Sequence, residues 1–326
     1  MKYPVFKLLL STLVVVLQIQ CSSKSPTGTA VLKSPVSGKD IIRMLSKGEH
    51  VLLQNATITG DIDFTTLSSS YRTSVTIEQA EVNGSLTLVN CTVKGKVTGY
   101  LYSKEVIKTV VFHKNFSCPG TRFEGEVMLK EAQFQGMTDF TGAIFDKPVS
   151  FEGAVWKSRA MFNKTVFYDE ARFQLSIFEN QATFMDAGFE GICSFQNAVF
   201  FTDANFSNTQ YLRYADFGNL NIHGNLMFNY AKFSNQAIFS NSHLHGRSDW
   251  NNTVFENQAD FEQSTFYGTV RWVKSEYKGV LNLENALFIS GKPDIQGLIM
   301  PDKEKLKLKG AKLAGGVLLQ KTDFPH

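Results

Sequence analysis

The sequence predicts an all-β solenoid of short stacked strands with one short helix near its start. Three observations carry that expectation. From Phe123 to Phe288 an apolar, mostly aromatic residue recurs at alternating intervals of six and five, an eleven-residue period held for thirty steps. Two positions before nearly every one stands a small or β-branched residue, as at Ala132, Ala143, Ala154, Ala182 and Ala198. The apolar pair points to one side of an extended segment while the residue between points away. Only two or three residues then remain before the next pair, too few for a helix and too regular for variable loops. Each repeat buries its apolar side against its neighbours.

The chain opens with basic Lys2 and Lys7 and an apolar run from Leu8 to Leu17. That run is too short to span a bilayer comfortably, so residues 1–20 are expected to be an export signal. Cys21, followed by a Ser-, Thr- and Gly-rich stretch, resembles a bacterial lipoprotein signal. The resemblance implies that Cys21 is lipidated as the first residue of the mature chain, and Ser22 resembles the pattern that directs such proteins to an outer membrane. It departs from the usual lipobox in having Gln18 and Gln20, with Leu17 one place early. Residues 21–36 are polar and read as a flexible tether. In residues 37–49, Ser37 can cap a helix, Asp40 takes the capping-box place and Gly48 can end it. Ile41, Ile42 and Leu45 would form its buried stripe and cover the first coil, whose open end would otherwise expose strand edges.

Residues 50–326 are expected to form one solenoid domain, because a solenoid lengthens along one axis without a second core. The same spacing appears in Leu53, Ile58 and Phe64, in Ile77, Val82, Leu88 and Val93, and again in Leu308, Leu313, Leu319 and Phe324. Segments 65–74, 99–111 and 289–306 break the count and are expected to be loops or bulged coils. Glycines precede several six-residue steps, as in "GSLTL", "GNLMF" and "GVLNL". They are expected where a corner needs positive φ or close backbone approach.

Stretches such as "QATFMDAGFEGICSFQNAVFFTDANF" resemble the pentapeptide-repeat family, with a small residue at i−2, a polar one at i−1 and Leu or Phe at i. The resemblance implies a right-handed quadrilateral parallel β-helix with one unit on each of four faces. An extra residue in every second unit makes the coil 22 residues rather than 20. Phe140, Phe162 and Phe184 should then stack on one inner face, and Phe145, Phe167 and Phe189 on the next. A flattened eleven-residue coil would instead place residues eleven apart in register. Buried rings account for the fold, so no haem, flavin or other cofactor is expected.

The formal charge is +3, but residues 123–288 hold 12 basic and 19 acidic side chains. Some members of the resembled family mimic DNA and bind gyrase. Here the acidity is modest and an export signal places the chain elsewhere. The basic residues form no patch, so nucleic-acid binding is not expected. Cys91 and Cys193 fall in small inward positions, Cys118 lies near Pro119 and is expected to be free, and zinc-site spacing is absent. No nucleophile or phosphate-cradling motif stands out. Asp61 with Asp63 and Asp169 with Glu170 are carboxylate pairs that a glycoside-hydrolase reading would use, but they read as solvated surface groups.

Residues 22 apart should stack in outward columns. One column runs Lys157, Glu179, Phe201, His223, His245, Tyr267 and Ile289, placing four planar rings about 4.8 Å apart. Gly224, Gly246 and Gly268 beside them should leave the ring faces accessible. The four rings are a candidate contact stripe for an envelope protein or a glycan, or a corner stack serving coil packing alone; a His223/His245 metal site is not expected. The functional expectation is a non-catalytic bacterial cell-envelope lipoprotein displaying a rod, held to the membrane by its lipid. The alternative is a polysaccharide-binding or polysaccharide-active β-helix. Lys303, Lys305, Lys307, Lys309 and Lys312 decorate a final coil with no covering helix, pointing to a monomer or a weak tail-to-tail homodimer.

Overall fold

The computed structural model describes residues 29–30, 35–67, 70–72 and 77–324. The expected export signal and Cys21 lie outside the described residues. The chain winds as a solenoid of four sheets, of 11, 11, 11 and 13 strands. The first face carries Thr138–Asp139 and Ala160–Met161, and the second Ile144–Phe145 and Val166–Phe167. The third carries Val149–Ser150 and Ala171–Arg172, and the fourth Val155–Trp156 and Ile177–Phe178. Through the central array every Cα partner is 22 residues away, as in Cys193↔Ala215 and Val199↔Asn221. This register is that of the four-faced coil and excludes the eleven-residue one.

Every ring of the six-and-five series from Phe123 to Phe288 is buried. Phe140 stacks on Phe162 at 5.3 Å and Phe162 on Phe184 at 4.8 Å between ring centroids. On the second face Phe145, Phe167 and Phe189 stack at 5.2 and 4.7 Å. Rings from opposite faces meet edge-on, as Phe173 does with Phe184 at 90°. Parallel stacking along each face and edge-to-face contact across the core both suit the ring quadrupole. The core is thus aromatic along the length of the array.

The five-residue steps turn through a residue in the left-handed region. From Glu131 to Asn285 a φ of 56–66° recurs every eleven positions, and Asn is its commonest occupant. Glycine was expected at such corners, but Asn tolerates that conformation nearly as well. In "GSLTL" the glycine serves close approach instead: a Cβ on Gly84 would lie 1.9 Å from the Glu49 carbonyl oxygen.

The helix α1 spans Gly38–Leu45 and is capped by Ser37, whose Oγ accepts from the Asp40 N–H at 3.1 Å. The hydroxyl also donates to the Asp40 carboxylate at 2.7 Å. Ile41, Met44 and Leu45 form the buried stripe, and Ile42, expected within it, is only partly buried. A spacing of three and four residues from Ile41 selects Met44 and Leu45 and turns Ile42 aside. Within the expected tether, Thr29–Ala30 pairs parallel with His50–Val51, and Val36 pairs with Ile58. These short polar-flanked segments carry no period of their own, so only the neighbouring coil makes them strands.

Two of the segments that break the count contain strands. Leu101–Tyr102 runs antiparallel to Ile107–Lys108, and Ser70–Arg72 antiparallel to Glu78–Ala80. Together with the six-residue strands Ile77–Val82 and Ile107–Phe112 they extend the fourth face into a flap near the N-terminal end. The C-terminal end also departs from expectation. After Lys312–Leu313 the chain turns back through Gly315 and Gly316, whose φ angles are 81° and 83°. The Leu319 N–H then donates to the Ala311 carbonyl at 3.0 Å, burying Leu319 and Phe324. Leu319 and Phe324 therefore do not continue the coil count; they close the end. Lys303 donates to the Phe324 carbonyl at 3.1 Å and ties this cap down, while Lys305 donates to the Lys278 carbonyl at 3.0 Å and ties its own segment to the preceding coil.

Candidate functional site

The ring column lies on the edge where the fourth face turns into the first. Each ring directly follows an inward residue of the fourth face, Phe200, Ile222, Leu244 or Phe266, and is carried outward at the same height in successive coils. Phe201 and His223 are 5.2 Å apart, His223 and His245 5.0 Å, and His245 and Tyr267 4.5 Å, each pair within 3° of parallel. His243, two residues before His245 on the fourth face, is tilted against Tyr267 at 6.3 Å.

This geometry corrects one expectation. Ring faces were expected to be accessible, but the faces between successive rings are covered, and only the outer faces of Phe201 and Tyr267 have no ring of the column over them. All four residues are exposed, and stacking leaves the edges of His223 and His245 as their open sides. Gly224, Gly246 and Gly268 stack beside the rings because the corner backbones touch; a Cβ on Gly246 would lie 2.2 Å from the Gly224 carbonyl oxygen. Desolvation, followed by the neighbouring His223 and His243, pushes the His245 imidazole below its usual pKa. Among the described residues no group of three His, Cys, Asp or Glu side chains is placed to hold a metal ion.

The carboxylate pairs have structural partners. Asp63 caps a short 3-10 helix by accepting from the Thr65 N–H at 3.0 Å, and Asp61 accepts from the Lys96 N–H at 2.8 Å. Both line a cleft of about 600 Å³ beside α1, with Lys39, Ile42 and Thr66. Asp169 accepts from the Glu170 N–H at 2.8 Å, and Glu170 pairs with Arg172. Cys91, Cys118 and Cys193 are free and buried, and burial raises all three thiol pKa values. Cys118, expected near an irregular stretch, occupies the inward slot that Phe140 fills one coil later.

A profile described as pentapeptide repeats (9 copies) matches residues 129–177, 140–188 and 228–276. Residues 129–188 and 228–276 are pentapeptide repeats. These segments lie within the 22-residue coils of the central array, where ring stacking is continuous. No curated protein and no solved structure matches the chain. Pentapeptide-repeat solenoids are in general non-catalytic, serving structural or protein-interaction roles. Among the described residues, no helix is long and apolar enough to cross a membrane.

Sequence reasoning found the ring column from the coil length but missed two features beside it. One is the row of left-handed Asn residues on the opposite edge of the fourth face, Asn197, Asn219 and Asn241. Their 22-residue spacing was a legible signal. The other is the flap, which no repeat announces.

Proposed function

We propose that this protein is a non-catalytic lipoprotein of a bacterial cell envelope, anchored through Cys21 and presenting its solenoid as a contact surface for a protein partner. The observation that carries the reading is the juxtaposition of an export-type N-terminus ending at Cys21 with a rod whose first coil is closed by α1. A rod tethered at one end leaves the faces along its length free for a partner. An outer-membrane address is the narrower form of the proposal, resting on Ser22.

A protein partner is favoured over a glycan by the ring column. Sugar recognition by aromatic residues uses the ring face, and in the column both faces of His223 and His245 and the inner faces of Phe201 and Tyr267 are taken up by stacking. Ring edges that donate and accept hydrogen bonds suit backbone and amide groups of a protein. The test is metabolic labelling with palmitate in a bacterial host. Label on the parent chain and none on Cys21→Ala supports the anchor. Unlabelled parent protein recovered wholly in the soluble fraction overturns it.

A further inference from the structure

The fourth face is bounded by two columns of unlike chemistry at matching heights. On one edge stand Phe201, His223, His245, Tyr267 and Ile289; on the other, four residues earlier in each coil, stand Asn197, Asn219, Asn241, Gln263 and Asn285. All the amide residues of this row are exposed. The side chains of Asn197, Asn219, Asn241, His223 and His245 make no hydrogen bond among the described residues. Between the columns the outward residues Val199, Asn221, Thr265 and Leu287 are half-buried, with His243 exposed.

A two-fold axis parallel to the rod preserves height and exchanges the two edges. Applied to this face, it sets each ring edge of one copy against the amide of the other: His223 against Asn219, His245 against Asn241, Tyr267 against Gln263. Imidazole and phenol edges donate to and accept from amides in either sense. The residues between the columns meet their own counterparts, Val199 on Val199 and Leu287 on Leu287. Isologous interfaces require this self-complementarity.

We infer that the fourth face, from the coil of Val199 to the coil of Leu287, pairs with the same face of a second copy, the two rods parallel and side by side. The inference deepens the proposed contact role and does not need the lipid anchor. The contact covers five coils and is narrow next to the ~800 Å² per partner of a stable interface. The pairing is therefore weak in dilute solution and strengthened when copies share a surface, where the effective concentration is high. A parallel arrangement keeps both N-terminal ends on one side.

The test uses the full chain in mild detergent, with single substitutions Val199→Cys, Leu287→Cys and, on a different edge, Leu212→Cys. Each is treated with diamide, a two-electron oxidant that joins two thiols as a disulfide, beside the parent chain as background. Expected are homotypic disulfide dimers for Val199→Cys and Leu287→Cys, with Leu212→Cys at background. Sedimentation should show mass rising toward twice the monomer with concentration, and Val199→Lys should abolish that rise while leaving the circular-dichroism spectrum unchanged. Crosslinking only in a mixture of Val199→Cys and Leu287→Cys chains would mean antiparallel rods and overturn the inference. So would equal crosslinking at Leu212→Cys, a monomer at every concentration, or a Val199→Lys chain that dimerises like the parent. Palmitate labelling reads the anchor alone and crosslinking the pairing alone, so either can fail without the other.

Discussion

The imidazoles of His223 and His245 lie 5.0 Å apart and 3° from parallel on an exposed edge of the solenoid. Two rings held in this way cannot both become cations without repulsion. His245 is the ring whose pKa is lowered, first by desolvation and then by His223 and His243. A group whose folded pKa lies below its unfolded value binds fewer protons when folded. Its contribution to stability is present above the unfolded pKa, about 6.5 for histidine, and is lost as the pH falls through that value toward the folded one. The melting temperature should therefore drop on acidification from neutral pH, and His245→Asn should lessen the drop. Melting curves of the two proteins with equal slopes against pH would reject the coupling.

Core and edge rings should differ sharply in worth. Phe162 is fully buried, stacked between Phe140 and Phe184. Phe162→Ala should destabilise by about 3–5 kcal/mol through lost burial and the cavity left behind. Phe201 is 50% exposed and stacks only on His223. Phe201→Ala should cost no more than about 1.5 kcal/mol. Urea unfolding of both variants checks the ordering; similar losses would mean that the outer column is part of the structural core.

Two glycines give opposite expectations for the same change. A Cβ on Gly246 would meet the Gly224 carbonyl oxygen at 2.2 Å, so Gly246→Ala must push two coils apart. Gly188 has nothing within 4 Å of its missing Cβ and no positive φ. Gly188→Ala should stabilise by about 0.4–1 kcal/mol by restricting the unfolded chain, while Gly246→Ala should lower the melting temperature. A rise for both would show that the corner backbones yield more readily than their spacing implies.

Leu175 holds a φ of 60° at a corner that Asn occupies two coils on, at Asn219. A branched side chain there carries about 1–2 kcal/mol of local strain. Leu175 is also 54% exposed, so little packing is lost on replacement. Leu175→Asn should raise stability by about 1 kcal/mol on those grounds. Denaturant melts giving a lower midpoint would place Leu175 in a contact that the left-handed corner merely tolerates.

What the sequence determined by itself is everything that repeats. The eleven-residue period set the inward rings, the 22-residue register, the stacking of Phe140 on Phe162 and the column from Phe201 to Tyr267. In a solenoid each residue packs against its counterpart one coil away, so the contact is written in the sequence as a fixed distance. The start of α1 was legible for a similar reason, since Ser37 and Asp40 act within a single turn. Tertiary structure decided what does not repeat. The return of Leu319 and Phe324 over the last coil, the pairing of Leu101–Tyr102 with Ile107–Lys108 and the strand pairing of Thr29–Ala30 depend on partners at no constant spacing. The ring column belongs to both: its members were readable from the coil length. That the faces between successive rings are covered follows from side-chain orientation, which the backbone of the finished corner imposes.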